Sequence, residues 1–170
     1  MRGRAILAGV AAAFAVAATG CGESGEKAVA HVGDAKITRE QLEQTMEHFS
    51  EESTREGRPF AENATARKHL LGLLVYRARL EQGAKALGVT VSDEAVERRL
   101  ESEGGDEGDE GDAHAYFEST VRVQLLKEAV YRKLAVRIHD ADPQRAQARR
   151  NAALDRWLVS LAKRYPVSVS

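Results

Sequence analysis

Apolar and polar positions alternate in short runs at the start of the body of the chain and then settle into helical periods. Val29-Ala30-His31-Val32 and Lys36-Ile37 flank Gly33-Asp34, and a Gly-Asp pair between two β-like runs predicts a hairpin with a II′ turn. Thr38, followed three residues later by Gln41, has the form of a capping box that opens a helix. That helix is predicted over residues 39–51, with Leu42, Met46 and Phe49 on one face. The polar run from Ser50 to Pro59 predicts a loop.

A longer helix is predicted over residues 61–87. Its segment Leu70-Leu-Gly-Leu-Leu-Val-Tyr76 is apolar nearly all round, which a surface helix avoids, so it is expected to be the central core element. Gly88 supplies a C-terminal stop. Ser92 caps a short helix with Asp93 and Glu94 in its first turn and Val91 and Val96 as a hydrophobic staple. Residues 101–112 hold seven acids and four glycines; such a stretch has nothing to bury and is expected to be a solvated loop. It does not have the ligand spacing of an EF-hand.

Further on, Val123, Leu126, Val130 and Leu134 form one stripe, and Phe117, Val121 and Leu125 a second, on a helix predicted over 113–136. Asp142-Pro143 opens a last helix, a cap followed by proline at the first position. Leu154, Trp157, Leu158 and Leu161 fall at i, i+3, i+4 and i+7 and bury one face. Pro166 ends it, and Val167-Ser168-Val169 alternates as a short strand, best placed beside the hairpin, which is too small to stand by itself.

The 170 residues carry 25 basic and 26 acidic side chains and one Cys. One Cys excludes an intramolecular disulfide framework and multi-Cys metal sites, and the balanced charge argues against a nucleic-acid binder. The balance is an average of unlike parts. Residues 21–112 have 12 basic and 21 acidic side chains, whereas residues 113–170 have 11 and 5.

The first twenty residues change the picture more. Arg2 and Arg4 precede an uncharged Ala/Val-rich stretch that ends in Ala18-Thr19-Gly20-Cys21. The apolar stretch is short for a bilayer span and fits a signal peptide. The four residues resemble a bacterial lipobox, in which the thiol receives a diacylglycerol and cleavage falls between Gly20 and Cys21. The expected organisation is a signal peptide over 1–20, a tether over 21–27 and one domain over 28–170, anchored to the bacterial membrane outside the cytoplasm without spanning it.

No catalytic signature emerges. His31, His48, His69, His114 and His139 make no H-x-H or H-x-x-x-H pair, so no metal or other cofactor is expected. A nucleophile elbow, a P-loop and a G-x-G-x-x-G run are all missing from the sequence.

The stretch from Val29 through Ile37-Thr38 to Leu42 resembles the opening of the SurA/PrsA class of extracytoplasmic chaperones, where a hairpin leads into the first helix. Gly33-Asp34 stands where that class has Asn-Gly, which keeps the turn chemistry. The run from Ala66 to Leu100 and the Val121-Arg-Val-Gln-Leu-Leu126 helix are similar to the next parts of the module. The resemblance implies a mostly α fold, a helical chaperone module with a small β-hairpin plus a C-terminal strand. It also implies unfolded or newly exported polypeptides as partners. Relatives often insert a parvulin-type prolyl isomerase domain where this chain has only Arg137 to Asp142, so a non-enzymatic holdase is expected. The alternatives are an assembly lipoprotein that holds one folded partner, or an isomerase relative with little or no activity. Client contact is expected from Leu74, Phe117, Val121, Arg122, Tyr131 and Arg132, with Arg137 a further cation for acidic segments and Trp157 assigned to the core.

Overall fold

The hairpin and both well-capped helices form where local chemistry puts them. A computed structural model describes residues 27–58, 60–103 and 112–170. Strands β1 (Ala28–Val32) and β2 (Ala35–Thr38) are followed by α1 (Arg39–Arg55), α2 (Ala64–Ala86), α3 (Asp93–Glu103), α4 (Asp112–Ala135), α5 (Pro143–Arg164) and β3 (Val167–Val169). The expected signal peptide, with Gly20 and Cys21, and most of the expected tether lie outside the described residues, as do Pro59 and 104–111 of the acidic tract.

Val32 pairs with Ala35 across a two-residue turn. The positive φ, +54°, falls on Gly33, the first turn residue, as a II′ turn requires. β3 pairs antiparallel with β1 on its other side, giving the order β2-β1-β3. Thr38 caps α1: its hydroxyl accepts from the Gln41 N–H, and the Gln41 side chain accepts from the Thr38 N–H. Asp142 caps α5 with Pro143 at the first position, and Gly88, at φ +65°, follows the end of α2. Val91 and Val96 meet in the cluster that joins α3 to α4. The Ser92 hydroxyl holds the Glu94 carboxylate below its ordinary range.

Three expectations need correction. The predicted loop at 50–59 is helical as far as Arg55. Once a helix is under way each further residue adds a hydrogen bond, and nothing before Gly57 breaks the run. The acidic tract begins with helix too, because Glu101–Glu103 complete α3, and Asp112 already belongs to α4. The third correction concerns residues 70–76. Helix α2 does run through the middle, touching α1, α4, α5 and both strands of the hairpin. Yet Leu70 is 1% exposed, while Leu73 is 40% and Tyr76 38% exposed. The neighbours cover one side of this segment and leave the other open.

Four apolar clusters hold the fold. Ala30, Val32 and Ile37 of the sheet pack on Ala78, and Leu42 and Met46 of α1 pack on Leu70. Leu80 and Ala84 meet Leu126 and Val130 of α4, with Leu154, Trp157 and Leu158 of α5 against them. Val96 and Leu100 meet Val121. The two stripes read on α4 therefore serve two different clusters.

Two glycines of α2 separate helix propensity from packing. A Cβ on Gly72 would meet nothing, whereas one on Gly83 would come within 2.5 Å of Leu161 and 2.9 Å of the Trp157 ring. Gly72→Ala is expected to stabilise by about 0.5–1 kcal/mol through backbone entropy. Gly83→Ala is expected to destabilise by about 1–3 kcal/mol through overpacking. Thermal unfolding of the two variants checks this; a Tm change of the same sign in both would contradict the packing of α2 on α5.

Candidate functional site

The uncovered side of α2 floors a groove of about 560 Å³. The floor and its three walls follow from the element order. β2 contributes Ala35, Lys36 and Ile37; the first turns of α1 contribute Gln41, Gln44 and Thr45, at i, i+3 and i+4. α2 supplies Leu73, Leu74, Tyr76, Arg77, Ala78 and Glu81, two adjacent stripes along one helix face. α4 closes the far side with Tyr116, Ser119, Thr120 and Val123, again at helical spacing. The floor is apolar and the rim is made of carboxamides and hydroxyls.

The α4 wall is held by rings. Tyr116 stacks on His48 of α1 with centroids 4.0 Å apart and planes at 29°, and Phe49 meets Tyr116 edge-on at 5.5 Å. Phe117 also approaches His48 edge-on, at 5.5 Å. His48 is 5% exposed. Its Nε2 makes no hydrogen bond and lies 3.9 Å from the Glu52 carboxylate, beyond hydrogen-bond range.

Charge within the groove is sparse. Arg77 donates from Nε to Glu81 at 2.8 Å, an i,i+4 pair that neutralises both. Lys36 is exposed, and among the described residues no acidic side chain is paired with it. Tyr76 and Tyr116 are pushed above the ordinary phenol value by burial. Taken together the walls can hold a ligand by apolar contact and neutral hydrogen bonds. Among the described residues no three His, Cys, Asp or Glu side chains are grouped as a metal site.

The six residues expected to contact clients do not converge. Leu74 alone lines the groove. Val121 is 4% exposed and belongs to the α3–α4 cluster, with Phe117 half-buried beside it, so Val121 serves the core rather than a surface. Arg122 is no free cation: it donates to Asp93 at 2.7 Å and Glu118 at 2.6 Å, and both bonds hold its guanidinium above its usual value. The Tyr131 hydroxyl accepts from Gln147 of α5 at 2.8 Å. Arg132 is exposed and sits 3.7 Å from Glu128; Arg137 is exposed beyond the end of α4. Trp157 packs in the cluster of α2, α4 and α5. Residues the sequence reading missed are Tyr76, Tyr116 and the Gln41/Gln44/Thr45 stripe. The signal was present in part, since Leu73 and Tyr76 belong to an apolar run too wide for one core face.

Residues 3–137 match the SurA-like N-terminal domain family. The chain belongs to that family, and the mostly helical fold with its small antiparallel sheet is the form expected of it. It is a chaperone-related family. The match stops at 137, so α5 and β3 lie beyond it although they pack on α2, α4 and β1. No curated protein was found to match the chain. No helix among the described residues is long and apolar enough to cross a membrane.

The tyrosines give a pH test of the groove. A raised phenol pKa means that the folded protein favours the neutral form. The stabilisation is then present below the ordinary value and is lost as pH rises through the raised one. In an alkaline titration followed by phenolate absorbance, the components removed by Tyr76→Phe and by Tyr116→Phe are each expected to have midpoints above 10.0. Midpoints at or below that value would mean that the walls are open to water.

Proposed function

We propose that this protein is a lipid-anchored, extracytoplasmic holdase that binds unfolded or newly exported polypeptides and catalyses no reaction. The observation that carries the reading is the groove with Leu73 and Tyr76 exposed on its floor. Exposed large apolar side chains gathered in one concavity are costly unless they serve binding. Membership of a chaperone-related family supports polypeptide as the ligand.

Magnitudes fit a reversible binder. Each buried client side chain of Leu or Phe size contributes about 1.5–3 kcal/mol. Two or three of them contribute about 3–9 kcal/mol before the cost of ordering an extended chain is taken off, so a single segment is held no tighter than about micromolar. A client held that weakly leaves without nucleotide. The proposed anchor at Cys21 offsets weak affinity by raising local concentration where exported chains emerge.

Light scattering of a reduced, unfolded client tests the activity. The full chain at equimolar ratio is expected to suppress aggregation, and Leu73→Asp to remove most of that effect while leaving the fold intact, since Leu73 is already exposed. No suppression by the unaltered protein would end the holdase reading. A single folded partner captured in stoichiometric amount, without unfolded-client binding, would favour an assembly role instead.

The anchor is tested separately. Metabolic labelling with a radioactive fatty acid in a bacterial host is expected to mark the protein, and Cys21→Ser to abolish the label. Unchanged labelling of Cys21→Ser, or none in the unaltered protein, would contradict the anchor.

A further inference from the structure

The groove has a feature that apolar contact alone does not use: one of its walls is the open edge of the sheet. Ser170 N–H donates to Val29 O at 3.3 Å, and Gly33 N–H to Pro166 O at 3.5 Å. The odd-numbered residues of β1 therefore turn their amides towards β3, and Ala30 and Val32 turn theirs towards β2. Their partners, Ile37 and Ala35, are the bonded positions of β2. Lys36 between them turns both its N–H and its C=O outwards, away from the sheet.

Its neighbours on that edge are already served. Asp34 N–H donates to Gln82 Oε1 at 3.2 Å, and Thr38 N–H donates to Gln41 Oε1 at 2.9 Å. The Lys36 pair is left, and among the described residues no hydrogen bond reaches it. Lys36 lines the groove together with Gln41, Gln44, Tyr76 and Tyr116, which brings this open pair to the groove.

We propose that a client segment binds in this groove as an added strand, paired through its own main chain with Lys36 on the edge of β2. The proposal rests on the holdase reading and specifies how the chain is recognised. Main-chain pairing suits a protein that must accept many sequences, because every residue but proline offers the same N–H and C=O. Alternate side chains of the strand face the apolar floor, and the strand's other edge meets the carboxamide and hydroxyl rim.

Charge selects the occupant. With Arg77 and Glu81 neutralising each other, Lys36 gives the groove its net positive charge. A lysine on a short edge strand deters pairing with like edges. A second copy docked edge to edge would bring Lys36 against Lys36, which disfavours self-association. An unfolded segment with one acidic residue among apolar ones carries the complementary charge.

Labelled heptapeptides with alternating apolar residues and one central Glu, titrated into the full chain, test this. Two N-methylated isomers are compared with the parent, one methylated at odd and one at even amides. Only alternate amides of an added strand face β2, and a slip of one residue would turn the apolar side chains away from the floor. One isomer is expected to lose binding at least tenfold and the other to stay within about threefold of the parent. The Lys36 amide, fast in hydrogen exchange when free, is expected to become protected at least tenfold on binding. A central Glu is expected to outbind a central Lys about threefold, with the order reversed in Lys36→Glu.

Equal binding by both isomers, or equal loss in both, would overturn strand addition, as would an unprotected Lys36 amide. If aggregation is still suppressed in that case, the holdase reading stands and clients are read through side chains alone. If the peptides do not bind and aggregation is not suppressed, both readings fail together. Peptide-induced dimers paired through β2 would overturn the charge argument against a second copy.

Discussion

One carboxamide holds the two ends of the fold in place. Gln82, near the end of α2, donates from Nε2 to the Val32 carbonyl at 2.6 Å and accepts from the Asp34 N–H at 3.2 Å, so it satisfies both sides of the hairpin turn. One helical turn earlier, Arg79 Nε donates to the Tyr165 carbonyl at 3.0 Å, and the Tyr165 hydroxyl returns to the Gln82 carbonyl at 3.2 Å. Three strands of three to five residues are too small to persist alone. Here they are pinned to a helix by three part-buried hydrogen bonds and one exposed one. The position of β2, and with it one wall of the groove, depends on that clamp.

The groove itself follows from a mismatch between supply and demand of apolar surface. Between Leu70 and Tyr76 helix α2 presents large apolar side chains on more than one face. The sheet and α1 cover the side of Leu70 and Leu71, and α4 and α5 cover the next turns from Leu80 onward. Among the described residues nothing fills the space between β2, α1 and the start of α4. The stacked His48–Tyr116 pair bridges α1 and α4 at that level and keeps them apart at a fixed spacing, so the space does not collapse.

What was legible in the sequence was whatever short-range chemistry decides. The Thr38–Gln41 box, the Gly33-Asp34 turn, Gly88 and Asp142-Pro143 all act within a few residues, and each stands where it was read. So do the stripes on α4 and α5, because helical periodicity survives any choice of neighbour. Residues 50–55 are polar yet helical, because a polar helix end needs only propagation. The site was less legible. Leu74 lines the groove, whereas Val121 and Arg122 lie outside it. Their actual roles depend on α3, which brings Val96 against one and Asp93 against the other. Partners distant in sequence leave no mark in local pattern, and the groove is lined by four elements at once.

The sheet order has a bearing on how such a chain assembles. β1 is central, yet its second neighbour, β3, lies at Val167–Val169, after all five helices. A chain that emerges from a ribosome or a translocation channel with its first residues leading exposes the β3-facing amides of Val29, His31 and Gly33 until the last element arrives. Loop-closure entropy makes such a distant pairing slow. For that interval the protein carries a central strand with one side unpaired, and shares that exposure with the unfolded chains it is proposed to protect.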